Sequence, residues 1–182
     1  MGRMISTIDR QMTKYAVFLR GVNVGGVNLK MADVAAAMSD AGFGNVKTIL
    51  ASGNVLLESR ASVTAVRKKA EAALRAAFGY DAWVLAYDID TVAAISKAYP
   101  FEREVPDTHS YVTFVSDPDV LEELAALQPG PDERITKGKG VIYWQVPRSK
   151  SLDSAMGKTM GKKRYKSSTT TRNLRTIEKV LR

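Results

Sequence analysis

The sequence predicts an α+β protein with a ferredoxin-like β-α-β-β-α-β unit, followed by a second, shortened β-α-β-β-α half. Short apolar runs alternate with helical patterns, glycines end the helical patterns, and the order of elements partly repeats after residue 87. The 182 residues are 45% hydrophobic and 25% charged, a composition that can fill a core. This length allows one domain or two small fused halves.

In the first half, strands are predicted at 15–19, 46–50, 55–57 and 83–87. The first strand is apolar on both faces, which is typical of a central strand. Helices are predicted at 31–41 and 62–78, where helical spacing of apolar residues ends at Gly42 and Gly79. Between the second and third strands, Ser52, Gly53 and Asn54 have the composition of a hairpin turn.

The second half repeats this order without a final strand. Strands are predicted at 111–115, 134–136 and 141–146, and the last two form a hairpin across residues 138–140. Trp144 on the last of these strands is predicted to lie in the core. Helices are predicted at 88–98, 120–127 and 172–181, and a linker rich in Lys, Ser and Gly precedes the last helix.

The predicted elements and the distribution of charge divide the chain into four segments. They are a disordered leader at 1–13, a ferredoxin-like half at 14–87, a second α+β half at 88–146 and a basic segment at 147–182. The net charge is +8, and residues 147–182 hold 11 basic against two acidic residues. Such a block attracts polyanions at long range. The alternative is a solvated basic segment that only aids solubility.

Several classes of protein are excluded by composition. The chain has no cysteine, which excludes disulfide scaffolds and thiolate metal sites, and its one histidine, His109, stands without a G-x-S-x-G motif. We therefore predict no metal and no cofactor, and we assign no catalytic residue. No apolar run is long enough to span a membrane, and the first residues lack the pattern of a secretory signal. A cytoplasmic protein of undetermined oligomeric state is expected.

The loop after the first strand is the first candidate anion site. Glycines before a helix N-terminus allow backbone N–H groups to surround an anion. The candidate residues are Arg20, Asn23, Gly25 and Gly26. Their spacing matches neither the dinucleotide-binding nor the P-loop motif. The alternative is a tight loop whose glycines adopt positive φ.

The predicted start of the last helix is the second candidate. Hydroxyl groups at an N-cap, the helix dipole and a guanidinium group would converge there on an anion. The candidate residues are Thr170, Thr171, Arg172 and Asn173. A capped surface helix is the alternative. Sequence leaves open whether the Ser52–Asn54 turn lies beside Arg20.

A nucleic-acid surface is predicted in the basic segment. The candidate backbone contacts are Lys158, Lys162, Lys163, Arg164, Tyr165, Lys166 and Arg175. Tyr165 is predicted to be exposed and to stack on bases, because a tyrosine within a basic run has little core to join.

Two separated motifs resemble the DUF1697 family of unknown function. The first comprises LRGVNVGG at 19–26, Met31, GF at 42–43 and SGNV at 52–55, and the second is TTRN at 170–173. Where an aromatic residue commonly follows the second motif in this family, this chain has Leu174. The resemblance implies an α+β fold with ferredoxin-like halves and implies no activity.

The leading functional hypothesis is a binding module for nucleic acid or another phosphate-bearing polyanion, with little sequence specificity. One alternative is an enzyme acting on a small phosphorylated metabolite. That alternative requires a compact pocket that joins the glycine loop to the segment around Thr171. A second alternative is a protein-interaction module.

Overall fold

A computed structural model of the chain describes residues 11–23 and 27–182. The strands are β1 (Thr13–Leu19), β2 (Gly44–Ile49), β3 (Asn54–Ser59), β4 (Val84–Asp88), β5 (Thr108–Val115), β6 (Arg134–Lys137), β7 (Val141–Pro147) and β8 (Thr169–Asn173). The helices are α1 (Met31–Asp40), α2 (Val63–Phe78), α3 (Ile89–Lys97), α4 (Pro118–Ala125), α5 (Ala155–Met160) and α6 (Leu174–Leu181). The predicted leader falls largely on residues 1–10, and Gly25 and Gly26 also lie outside the described residues.

These strands form two four-stranded antiparallel sheets with the orders β2-β3-β1-β4 and β6-β7-β5-β8. The prediction of a mixed α+β fold is confirmed, and so is the order of elements in the first half. The prediction of a shortened second half is wrong, because α5 and β8 complete a second β-α-β-β-α-β series.

The strand that was missed consists of Thr169–Asn173. β-Branched threonines favour an extended backbone, and the edge of β5 opposite β7 offers them a ladder of hydrogen bonds. The helix predicted from Arg172 therefore begins two residues later, at Leu174. Its N-cap is Asn173, whose Oδ1 accepts a hydrogen bond from the backbone N–H of Arg175 at 2.9 Å. The prediction that threonines cap this helix is wrong.

Alternating side chains of the central strands fill separate cores on the two faces of each sheet. On β1, Val17 and Leu19 pack with α1 and α2, whereas Ala16 and Phe18 face the second sheet. The rings of Phe18 and Phe114 stack between the sheets with centroids 4.7 Å apart. Apolar side chains of α3 and α6 join this central core. The two halves therefore share one buried interface.

The outer face of the second sheet has its own core with α4 and α5, and it includes Trp144 as predicted. Within the described part of the chain, no helix is long and apolar enough to cross a membrane. The same residues contain no group of three or more His, Cys, Asp or Glu side chains that could hold a metal ion.

Candidate anion-binding site

A cleft lies where β1, the turn between β2 and β3, and β8 meet. Its volume is about 190 Å³. The residues that line it are Leu19, Arg20, Gly21, Val22, Ser52, Met160, Thr169, Thr170, Thr171 and Arg172. Three segments that are far apart in sequence thus form one small site, and each of them contains part of a motif singled out in the sequence.

Arg172 holds these segments together. Its Nε donates a hydrogen bond to Oδ1 of Asn54 at 2.6 Å, and its Nη1 donates to Oγ1 of Thr170 at 2.6 Å. It also donates to the carbonyl oxygens of Leu19 (2.6 Å), Ser52 (3.2 Å), Gly53 (3.1 Å) and Thr171 (3.0 Å). All the donors of a guanidinium group are engaged in this way. Arg172 therefore removes carbonyl acceptors from the cleft and leaves it richer in donors.

The charge of Arg172 has no anionic partner. Only 6% of the residue is exposed, and no carboxylate in the described ranges lies within ion-pair distance. Its guanidinium lies 5.3 Å from the centroid of the Phe18 ring, a cation–π contact that compensates part of the cost of burial. Burial, together with repulsion from Arg20, lowers the pKa of Arg172 to about 10.

Arg20 brings a second positive charge to the same cleft. Its Nε is buried and has no hydrogen-bond partner among the described residues. Burial lowers the pKa of Arg20, and no acidic group opposes that change. Two guanidinium groups at one cleft, with no carboxylate of the described residues beside them, repel each other.

Two hydroxyl groups add donors to this cleft. Oγ1 of Thr170 accepts from Arg172, and Oγ of Ser52 accepts from Nδ2 of Asn54 at 2.9 Å. Neither hydroxyl donates its own proton to an acceptor within the described chain. Both protons therefore remain free to form hydrogen bonds at the cleft.

The turn between β2 and β3 reaches this cleft because of Gly53. Its φ is +87°, and a Cβ atom at this position would lie 2.8 Å from both Cβ of Leu19 and Cγ2 of Val22. Only glycine meets both requirements. The close approach also allows the backbone N–H of Leu19 to donate to the carbonyl of Gly53 at 2.8 Å. The position of this turn beside Arg20, left open by the sequence, is therefore settled.

Asn23 has a structural role rather than the predicted anion contact. Its Nδ2 donates to the carbonyl oxygens of Leu29 and Ala51 at 3.1 and 2.6 Å, and its Oδ1 accepts from the backbone N–H of Leu29 at 2.9 Å. Its φ of 57° is one that asparagine tolerates better than most residues. The side chain thus fastens the loop to the β2–β3 turn and has no amide hydrogen left for a ligand.

The other predicted contacts in the second motif divide between two clefts. Thr171 lines the site, and its hydroxyl lies 2.7 Å from that of Thr113, which in turn accepts from the Trp144 indole. Asn173 lines a separate, smaller cleft together with His109 and Arg175. The structure therefore groups Arg20 with Thr170, Thr171 and Arg172, and separates Asn173 from them.

The predicted nucleic-acid contacts are partly exposed and partly buried. Exposed side chains are Lys158, Lys162, Lys163, Lys166 and Arg175. Arg164 is also exposed, and it forms an ion pair with Glu123. Tyr165 is only 8% exposed and packs in the core of the second sheet, because the 3₁₀ turn at Lys163–Tyr165 directs it inward. The prediction that Tyr165 is an exposed stacking residue is wrong.

Comparison with known proteins identifies the family of this chain and a solved structure with a similar fold. The model of a family described as "Protein of unknown function (DUF1697)" matches residues 12–143. The chain belongs to the DUF1697 family. The matched range contains Arg20 and the Ser52–Asn54 turn, while β8 lies beyond it.

A solved structure shares the fold of this DUF1697 protein. It is the conserved bacterial protein SP0830 from Streptococcus pneumoniae, with a TM-score of 0.77 and 23% sequence identity. The likeness covers 93% of this chain and 96% of that chain, so most of both halves falls within a shared architecture. No curated protein matches the chain.

Proposed function

We propose that this DUF1697 protein binds a phosphate-bearing ligand and that the cleft beside Arg20 holds one phosphate group. The observation that carries the proposal is the pair Arg20 and Arg172, two cations at a small cleft with no carboxylate partner among the described residues. The free hydroxyl protons of Thr170 and Ser52 support it, since phosphate oxygens are strong acceptors.

The size of the cleft favours a small anionic group over a long polymer. Pockets for drug-sized molecules measure about 300–1,000 Å³, whereas this cleft measures about 190 Å³. It also joins the glycine loop to the segment around Thr171, as the hypothesis of a small phosphorylated ligand requires. That hypothesis is therefore favoured over a surface that binds only polyanions.

The site is tested by NMR titration of the ¹⁵N-labelled protein with inorganic phosphate. We expect the Nε–H signal of Arg20 to shift, and we expect Arg20→Met to weaken binding at least tenfold because it removes the unpaired cation. Arg134→Met is the matched control, because Arg134 is exposed on β6, at the sheet edge remote from β8. Equal binding by the two variants would refute the proposal.

Nucleic-acid binding remains a second candidate, supported by the exposed lysines near α5. Lys158 on α5 and Lys162, Lys163 and Lys166 shortly after it are exposed, and Met160 of the same helix lines the cleft. Clustered exposed cations attract polyanions at long range. Such a surface would contact backbone phosphates and give little sequence specificity.

This candidate is tested with fluorescein-labelled single-stranded RNA at two salt concentrations. Replacing Lys162, Lys163 and Lys166 with glutamine should weaken binding and reduce the slope of log K against log salt by up to about 2. Glutamine at the exposed lysines 14, 68 and 97 is the charge-matched control. The same loss in both triple variants would indicate general charge attraction and not a surface at α5.

We also propose that each half is a ferredoxin-like unit. The β-α-β-β-α-β order of each half and its antiparallel sheet, in which the third and fourth strands flank the first, support this assignment.

A further inference from the structure

The charges and hydrogen-bond donors of the cleft restrict the class of phosphate group that it can bind. We propose that the bound group is the dianion of a phosphate monoester and not the diester of a nucleic-acid backbone, an inference that rests on the proposed function of the cleft as a phosphate site. A monoester carries a charge close to −2 at neutral pH, whereas a diester carries −1.

The first argument is charge balance. Arg20 and Arg172 bring two positive charges, and no described carboxylate neutralises either. A dianion would balance both cations within one partly buried site. A diester would leave one cation uncompensated, and uncompensated charge is costly away from bulk water. The other residues that line the cleft carry no ionisable side chain, so nothing else there changes this balance.

The second argument is the number of donors and the enclosed volume. Arg20, Ser52 and Thr170 present three donor groups to the cleft, and a monoester has three terminal oxygens to accept them. A diester has two such oxygens and needs room for two substituents. A volume of about 190 Å³ suits a terminal group better than a continuous backbone.

The proposal predicts a pH dependence that comes from the ligand. The ionisable side chains that line the cleft are those of Arg20 and Arg172, and both guanidinium groups remain protonated between pH 5 and 7.5. Lys14 and Glu58 are register partners at the opposite end of β1 and β3, away from the cleft. A phosphate monoester loses its second proton near pH 6. Binding should therefore strengthen about tenfold from pH 5 to 7.5 as the dianion replaces the monoanion.

His109 is the one histidine of the chain and needs a control. It lines the other cleft beside Arg148, and burial and that cation lower its pKa. The pH profile should accordingly be measured in a His109→Gln variant as well as in the natural sequence. An unchanged profile assigns the titration to the ligand, and a lost profile would overturn the inference.

The decisive experiment compares methyl phosphate with dimethyl phosphate by NMR titration at pH 7.5 and pH 5. We expect methyl phosphate to bind at least tenfold more tightly at pH 7.5, and this advantage to disappear in Arg20→Met. Equal binding of the two esters, still dependent on Arg20, would overturn the dianion and leave the phosphate site standing. Failure of both esters and of inorganic phosphate to bind would refute the site itself.

A pair of RNA hexamers, with and without a 5′-phosphate, identifies the source of the monoester. If the hexamer with a 5′-phosphate binds much more tightly than both the hexamer without it and methyl phosphate, the monoester is the end of a nucleic acid. If the hexamer with a 5′-phosphate binds no more tightly than methyl phosphate, the monoester belongs to a small molecule. In either case Arg20→Met must remove the gain in affinity from the 5′-phosphate, and a gain that survives this substitution would overturn the proposal.

Discussion

Replacing Arg172 with methionine tests whether this buried cation stabilises the fold. Its three shortest hydrogen bonds, to Leu19, Asn54 and Thr170, measure 2.6 Å. Bonds to a charged donor contribute about 1.5–3 kcal/mol each, so their loss costs about 5–9 kcal/mol. The substitution also removes the free-energy cost of burying the guanidinium charge, which offsets part of this loss. The fall of its pKa from 12.5 to about 10 corresponds to about 3 kcal/mol.

The difference predicts that Arg172→Met lowers the free energy of unfolding by about 2–6 kcal/mol. Urea unfolding followed by tryptophan fluorescence measures this value. Arg175→Met is the control, because Arg175 is exposed three residues along the chain and should change stability by less than about 0.5 kcal/mol. Arg172→Lys should be no more stable than Arg172→Met, since lysine keeps a buried charge and offers three donors from a single nitrogen. A methionine variant as stable as the natural protein would refute this reasoning.

Three further predictions concern the turn, the tyrosines and the last helix. Gly53→Ala should cost about 2–5 kcal/mol, because alanine at positive φ also overlaps neighbouring atoms; an unchanged urea midpoint would contradict it. Burial raises the pKa of Tyr87, so the unfolded chain loses that phenol proton first and stability should fall above pH 10. Tyr87→Phe should reduce this slope by up to about 1.4 kcal/mol per pH unit, and an identical slope in both proteins would count against the assignment. Asn173→Ala should remove the α6 N-cap at a cost of about 1 kcal/mol and leave phosphate affinity unchanged; a matching loss of affinity would place Asn173 in the site after all.

The elements of the first half could be predicted because their local signals agree with their tertiary environment. β1 is apolar on both faces and lies between two cores, and Gly79 ends α2 in a left-handed conformation. β8 could not be predicted in the same way. A run of threonines before a helix fits an N-cap and an edge strand equally well, and only the open edge of β5 decides between them.

Residues of the site were identified by type more successfully than by role. The sequence indicated Arg20 and Arg172 as cations near an anion, yet it gave no sign that Arg172 is buried and saturated by carbonyl groups. Alternation along β8 turns Thr170 and Arg172 toward the first sheet, and this follows only once the segment is known to be a strand. Tyr165 was misassigned for a related reason, because charged neighbours on a short turn can remain in water while one aromatic ring packs inward.

The contacts of Arg172 also determine when the cleft can assemble during synthesis. Its partners Leu19 and Asn54 precede it by 153 and 118 residues, and ribosomes extend a chain from the N-terminus. An incomplete polypeptide can form β1 and β3 early, but their carbonyls receive no guanidinium until the last strand has emerged. Nascent and prematurely terminated chains therefore lack the assembled cleft, which forms only in a chain translated through to β8.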